Sequence, residues 1–352
     1  MNIVEVARKA GASTATVSRV INGRTNVSEK MRERIFKAMQ EIGYEPRHPS
    51  LRPGPRMRAK FGITRNTVAL LMIGTDQVPT HGNVFGSLLY GVEQMLAAND
   101  LDLNVAQIDE HGRLPTAMER KHLDGLLLFG KMPDAKVRRK LRAFPCVWLL
   151  GVFEQTASEW GDHVTCDNAA IGRMAASHLL EQGHEHLAFI NLTSNHPDNP
   201  ARGKAFQSTV KKAGKKAVLL QKSGGSSFPS VDELDTVIHS VVSDFVRLKP
   251  RPTGVFCAGD LSTALFYREL QIQGLRPGHD VEIVSCNNEK AYLAGLYPRP
   301  ATIDIGSEDV GRRGVEQLLS RLERPNSPMG EIIHVPPRLI PGENFSPSAK
   351  KR

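Results

Sequence analysis

The sequence predicts an all-α helix-turn-helix head joined to a two-lobed, doubly wound α/β core. Three observations predict it: positive charge gathered at one end, helical spacing broken by glycines over the first 43 residues, and apolar runs alternating with helical segments beyond Thr67. Residues 1–66 hold 14 Lys and Arg against 5 Asp and Glu, while the remaining 32 basic and 32 acidic residues cancel, so the whole net charge of +9 lies in the first fifth of the chain. A basic head on a neutral body is the footprint of a nucleic-acid-binding module attached to something else. At 352 residues with 40% apolar and 24% charged residues, the chain is long enough for two or three folding units with buried cores. Its four cysteines, Cys146, Cys166, Cys257 and Cys286, have no CxxC spacing, which excludes a zinc ribbon and a disulfide framework. No apolar run approaches the roughly 18 residues of a membrane span, and MNIVEVARKA is not a secretory segment, so a cytoplasmic protein is expected.

In the head, Ile3, Val6, Ala7 and Ala10 fall on one helical face, and Gly11 follows as a turn residue. Ser13 is the expected N-cap of a second helix running to about Asn22, with Val17, Val20 and Ile21 inward. A third helix starts behind Ser28, carries Met31, Ile35, Met39 and Ile42 on one stripe, and stops at Gly43. Two helices joined by a glycine turn, with a third packed on both, form a helix-turn-helix. From Tyr44 to Asn66, Pro46, Pro49, Pro53 and Pro55 deny the chain a continuous helix, and six basic residues face the single acid Glu45, so this stretch reads as an extended basic linker.

Beyond it, VALLMI (68–73), LDLNVAQ (101–107), GLLLF (125–129), CVWLL (146–150), LAFIN (187–191), AVLL (217–220), GVFCA (254–258) and EIVSC (282–286) read as buried parallel strands. Helical spacing between them, at 85–98, 169–182, 201–213, 234–248 and 261–273, gives the doubly wound alternation. Some 270 residues exceed one comfortable sheet, so two lobes with a ligand cleft between them are expected.

The stretch VEVARKAGASTATVSRVINGRTNVSEKMRERIFKAMQEIGYEP resembles, without a gap, the DNA-binding head of the lactose/galactose-repressor family of bacterial transcription regulators. VFGSLLYGVEQML, HLDGLLLFG, VTCDNAAIGRMAASHLLEQGHEHLAFI, ARGKAF, PTGVFCAGD and PRLIPGE follow in the order of that family's effector-binding core. The resemblance implies a periplasmic-binding-protein-like core that dimerises and holds a small effector. It also implies a homodimer on a pseudo-palindromic double-stranded operator, with a saccharide as effector, no cofactor and no membrane partner. The expected divisions are a head at 1–45, a linker at 46–66 and a core at 67–345. Within the core, lobe 1 is expected at about 67–166 plus 287–324, and lobe 2 at about 167–286 plus 331–343.

The resemblance places the second helix in the major groove, with Thr14 and Ala15 at the family's base-reading positions. Thr14 offers a hydroxyl and a methyl, Ala15 a methyl suited to thymine, and the Arg19 fork suits guanine or, otherwise, a phosphate. Ser18 and Asn22 face the same groove, where they contact phosphate or cap a helix end; Ser13 and Thr16 are expected on phosphates. The linker departs from the family. Tyr44 and Pro46 match, but four prolines replace the hinge helix, so the family's leucine-wedge role does not carry over to Leu51 on these residues. The linker candidates for the minor groove are Leu51, Arg52, Arg56 and Arg58; RPGPR resembles arginine arms that lie extended in narrow A·T-rich grooves, the alternative being a solvated tether.

For the effector, the resemblance points to Arg202 of ARGKAF, to Asp260 after the strand GVFCAG, to Phe85 as a stacking wall, and to Asn287, which stands where relatives carry a carboxylate. Asp260 is also placed to cap a helix, and Phe85 to fill the core, though the family match favours ligand contact for Arg202 and Asp260. Phe228, Asn195 and His196 are weaker candidates, the last two reading as a loop turn. His184, Glu185 and His186 read as loop residues rather than metal ligands, because histidines two apart in a strand point to opposite faces. Cys166 lacks a nearby base, and Asp167-Asn168 reads as a helix start at the hinge. No GxGxxG, GxxxxGK[ST] or supported acid/base pair points to an enzyme, catalytic and metal-binding residues are expected to be absent, and an architectural A·T-preferring DNA binder is the other rival.

Overall fold

The computed structural model describes residues 3–21, 27–44, 63–74, 83–108, 112, 114–119, 122–151, 160–222 and 231–343. It contains two compact units: a head within Met1–Arg58 and a core made by nearly all the rest. In the head, α1 (Ile3–Ala10), α2 (Thr14–Ile21) and α3 (Glu29–Ile42) enclose a small core of Val6, Ala7, Ala10, Val17, Val20, Ile35, Ala38 and Met39. Gly11 turns the chain at φ 60°, and the Arg34 guanidinium of α3 donates to the Ala10 carbonyl at 2.7 Å, tying the first helix end to the third helix. Gly43 closes α3 in the left-handed region, its N–H donating back to Gln40 and Met39.

The core is built on two six-stranded sheets. The first takes β1 (Thr67–Ile73), β2 (Asp102–Ile108), β3 (Gly125–Gly130), β4 (Cys146–Leu149), β5 (Asp162–Cys166) and β11 (Ile332–Val335), in the order β11-β5-β4-β3-β1-β2, all parallel. Its helices are α4 (Asn83–Ala98), the one-turn α5 (Thr116–Glu119), α6 (Ala135–Leu141) and α12 (Ser307–Glu323). Leu88, Val92 and Leu96 of α4 share one apolar layer with Val310, Val315 and Leu318 of α12; Val137 and Leu141 of α6 pack with Leu126, Leu128 and Trp148 in another. A Cβ on Gly91 would meet the Glu308 carbonyl at 2.1 Å, and one on Gly311 the Leu88 carbonyl at 2.2 Å, so α4 and α12 touch backbone to backbone.

The second sheet takes β6 (His186–Asn191), β7 (Lys216–Gln221), β8 (Gly254–Cys257), β9 (Glu282–Cys286), β10 (Ala301–Asp304) and β12 (Arg338–Ile340), in the order β12-β10-β9-β8-β6-β7. Only β12 runs antiparallel, against β10. α7 (Asn168–Glu181) and α8 (Asn199–Lys212) contribute to one apolar layer, α9 (Val231–Arg247) and α10 (Asp260–Ile272) to another, and the single turn α11 (Lys290–Leu293) follows β9.

Several expectations are corrected. Strands β5, β10, β11 and β12 and helices α6 and α12 were not foreseen; the strands are short, and DHVTC and ATID mix polar residues into the run. β2 and β7 are largely exposed edge strands rather than buried ones, because each has a neighbour on one side only. The lobe boundaries also shift. Residues 287–304, expected in lobe 1, run into β10 beside β9 of lobe 2, and β11, expected in lobe 2, extends the lobe 1 sheet beside β5. The number of crossings is the three expected, but because β10 pairs with β9 and β11 with β5 they fall at Cys166–Asn168, Asp304–Ser307 and Val335–Arg338. The crossings lie together, with the Asp167 N–H donating to the Val335 carbonyl at 3.1 Å.

Candidate functional site

In the head, the geometry of α2 follows from its cap. The Thr16 N–H donates to Ser13 Oγ at 3.1 Å, and the two hydroxyls share a hydrogen bond at 2.8 Å, so Ser13 and Thr16 order the helix start. Val17 and Val20 are buried, which turns Thr14 and Arg19 outward, both exposed. This is the arrangement a groove-reading helix requires: an anchored N-terminal turn carrying small polar groups and one forked cation on the open face. The side chains of Ala15 and Ser18, and all of Asn22, Leu51, Arg52, Arg56, Arg58 and Phe228, lie outside the described residues.

The core brings Arg202, Asp260 and Asn287 to the carboxyl ends of the lobe 2 strands. Arg202, buried on α8, donates from Nε to Asn168 Oδ1 at 2.8 Å and from Nη1 to the Ala258 carbonyl at 2.9 Å. Its Nη2 approaches Cys166 Sγ and Asp198 Oδ2 at 4.0 Å, too far for an ordinary hydrogen bond to oxygen. Burial disfavours its charge, but the surrounding cysteine and aspartate groups outweigh that and hold the guanidinium firmly protonated. Asn168 follows Asp167, whose carboxylate caps α7 through the Ala170 N–H at 2.8 Å, as expected for a helix start at the hinge.

Asp260 is not the helix cap that was one of its two expected roles. Its carboxylate is fully buried and turned inward, accepting from the hydroxyls of Ser285 and Thr302 and, at 2.6 Å, from the Glu289 N–H; Gly259, not Asp260, is the N-cap of α10. Burial pushes its pKa up to about 7, against the pull of these donors. It is a strut joining β9, β10 and the turn after β9. That turn carries Asn287 and Asn288 at φ 103° and 62°, the region asparagine tolerates best after glycine. Asn287 Nδ2 lies 3.6 Å from where a Gly259 Cβ would stand, and donates to Glu289 Oε2 at 3.3 Å.

Phe85 sits apart from this group. It is buried in the lobe 1 core, tilted at 51° against Phe129 with centroids 5.4 Å apart, so it packs α4 onto its sheet. Its neighbour Val84 packs against the apolar layers of both lobes. The lobes meet again where a Cβ on Gly151 would strike Asp198 Oδ1 at 2.4 Å. Asn195 and His196 form the expected turn before α8; burial, with Arg202 adding to it, holds His196 below its usual pKa despite Asp198. A cavity of about 540 Å³ lies at the second crossing, lined by the expected Asn287 and by Ser87, Ser307, Asp309, Arg312 and Arg338, which sequence reasoning missed. There Arg338 reaches Asp304 of lobe 2 at 3.7 Å and Asp309 of lobe 1 at 4.0 Å. The pattern GSEDV, a helix start with early acids, was the available signal.

His184 lies in the loop between α7 and β6, as expected, and is buried there, with Nδ1 on Thr253 Oγ1 at 2.8 Å and Nε2 on Glu282 Oε2 at 2.7 Å. Among the described residues no group of three His, Cys, Asp or Glu is placed to hold a metal. Cys166, Cys146, Cys257 and Cys286 are buried, and burial pushes their thiols up to between about 11 and about 12, the reverse of an activated nucleophile. Among the described residues no helix is long and apolar enough to cross a membrane.

Residues 2–47 match the family of bacterial regulatory proteins of the lacI type, and residues 176–344 match the periplasmic binding protein-like domain. The chain is 27% identical over 340 residues to the ribose operon repressor of Haemophilus influenzae, covering 94% of this chain and 95% of that one. It is likewise 27% identical over 328 residues to the transcriptional regulator CelR of Thermobifida fusca, covering 90% of each. Its fold superposes on a CelR–cellobiose complex with a TM-score of 0.64 at 23% identity, over 98% of this chain and 99% of that one. The lac repressor dimer bound to operator and an anti-inducer gives the same score at 18% identity and the same coverage. With a lacI-type head in front of a periplasmic-binding-protein-like core, the chain belongs to the LacI family of bacterial regulatory proteins.

Proposed function

We propose that this LacI-family DNA-binding transcription regulator reads its operator with Thr14, Ala15 and Arg19 and senses a saccharide between its core lobes. The observation that carries the effector reading is Arg202, a buried cation whose Nη2 edge lacks a short partner beside Asn287 at the strand ends, where open α/β sheets bind ligands. A forked donor and an amide suit the paired hydroxyls of a sugar ring. Relatives support the class: the H. influenzae protein is a ribose operon repressor, and the CelR structure holds cellobiose. Asp260 enters as the residue that positions Asn287, and Phe85 as packing behind the cleft.

Three crossings join the lobes, so an effector touching both changes their relative angle. An effector with unequal affinity for two lobe arrangements supplies a coupling free energy of ~1–3 kcal/mol. The protein acts in the cytoplasm as a homodimer on a pseudo-palindromic operator. Thermal-shift screening against a sugar panel that includes ribose and cellobiose tests the effector; a ligand at 100 times Kd raises stability by roughly 2.7 kcal/mol. The hit is then titrated against Arg202→Lys, which keeps the charge and loses the fork. A loss of roughly 10- to 100-fold is expected from hydrogen bonds to a charged group; unchanged affinity rejects Arg202 as a ligand residue.

A further inference from the structure

The basic character of this chain does not end with its head. Helix α6 buries Val137 and Leu141 and shows a cation at nearly every other position: Lys136, Arg138, Arg139, Lys140 and, just beyond, Arg142. Complementing the negative end of a two-turn helix accounts for one or two of these. Arg142 has a second use, lying 5.8 Å from the Trp160 ring centre. Lys136, Arg139 and Lys140 are exposed and form no ion pair among the described residues.

Their place in the fold gives them a partner. The linker enters the core at Thr64–Thr67, pinned where the backbone N–H groups of Thr64, Arg65 and Thr67 donate to the buried Asp124 carboxylate at 2.7 to 3.1 Å. That is the amino-terminal edge of the lobe 1 sheet. Helix α6 runs back from the end of β3 and delivers its last turn to the start of β4, at the same edge. β4 is two strands from β1, and strands lie about 4.8 Å apart, so the basic turn reaches that edge about 10 Å from the linker's entry. The acids at the neighbouring strand starts do not offset it: Asp124 is spent on the linker backbone, and Asp162 is buried against Arg321.

We propose that the exposed face of α6 is a second DNA contact, in which Lys136, Arg139 and Lys140 engage backbone phosphates flanking the operator read by the head. This rests on the DNA-binding reading above and extends it from head to core. The chemistry is that of point and forked cations on phosphate, without base readout, so it adds affinity and salt dependence but no sequence preference.

The test uses full-length protein and the duplex it enriches from a random-sequence pool, as a minimal site and with about 20 base pairs of flank on each side. Affinity is measured by anisotropy across a KCl series for wild type and for Arg139→Ala/Lys140→Ala. On the flanked duplex the double variant is expected to flatten the slope of log K against log salt by about 0.9 for each phosphate it no longer neutralises, while matching wild type on the minimal site. Both side chains are exposed, and equal thermal unfolding of the two proteins excludes misfolding as the cause. Equal slopes on the flanked duplex overturn this proposal alone; a wild type that enriches no duplex overturns the DNA-binding reading with it.

Discussion

Replacing Asp260 with asparagine separates a strut from a ligand and exposes a pH dependence built into lobe 2. The buried carboxylate has a pKa near 7, against an ordinary 3.8, chiefly because burial disfavours its charge. The folded protein therefore holds this proton more tightly than the unfolded chain does. Its contribution to stability is fully present below pH 3.8 and is lost as pH rises toward 7. At about 1.4 kcal/mol per pH unit, that interval is worth at most on the order of 4 kcal/mol. Asparagine fits the same contacts: its carbonyl oxygen takes the Glu289 N–H, and its amide donates to the Ser285 and Thr302 hydroxyls, which can both accept. Asp260→Asn is thus expected to stabilise by at most about 2 kcal/mol at pH 5 and by up to about 4 kcal/mol at pH 8, read from urea unfolding of the two proteins at both values. A variant less stable than wild type at pH 8, or a stability difference that does not change between pH 5 and pH 8, refutes the reasoning.

Asp162 predicts the opposite sign. Burial opposes its ionisation, but Arg321, Gln317 and the Glu331 N–H win and hold its pKa below the usual carboxylate range, so its contribution is present above pH 3.8 and fades in acid. Arg321→Ala strands this carboxylate in the core and is expected to cost about 3–5 kcal/mol in chemical denaturation; a loss under 1 kcal/mol speaks against a buried pair. Gly311→Ala places a methyl 2.2 Å from the Leu88 carbonyl and is expected to destabilise lobe 1 by roughly 1–3 kcal/mol, visible as a lowered melting temperature. In the head, Arg19→Ala is expected to weaken operator binding by ~1–3 kcal/mol and relax selectivity at one base pair, seen in a competition series of point-substituted duplexes. A uniform loss across that series assigns Arg19 to phosphate instead.

The head was legible residue by residue because everything that shapes it is local. Caps, glycine turns and apolar stripes at Ser13, Gly11 and Ile35 act within one or two helical turns, and periodicity reports such distances directly. In the core, the eight long apolar runs and the helices between them gave the alternation correctly. Polar-rich strands such as DHVTC escaped, because what makes them strands is a neighbour far away in the chain.

The sequence by itself determined the fold class and the separation of a cationic head from a neutral body. Tertiary structure alone decided which lobe owns each late segment, that Asp260 is buried against Ser285, Thr302 and the Glu289 N–H, and that Phe85 packs in a core. The physical reason is range. β11 pairs with β5 across more than 160 residues, and Asp260 meets its partners from strands 25 and 42 residues away. Local pattern fixes which elements form, while the burial and pairing that assign each side chain its work depend on contacts between distant segments.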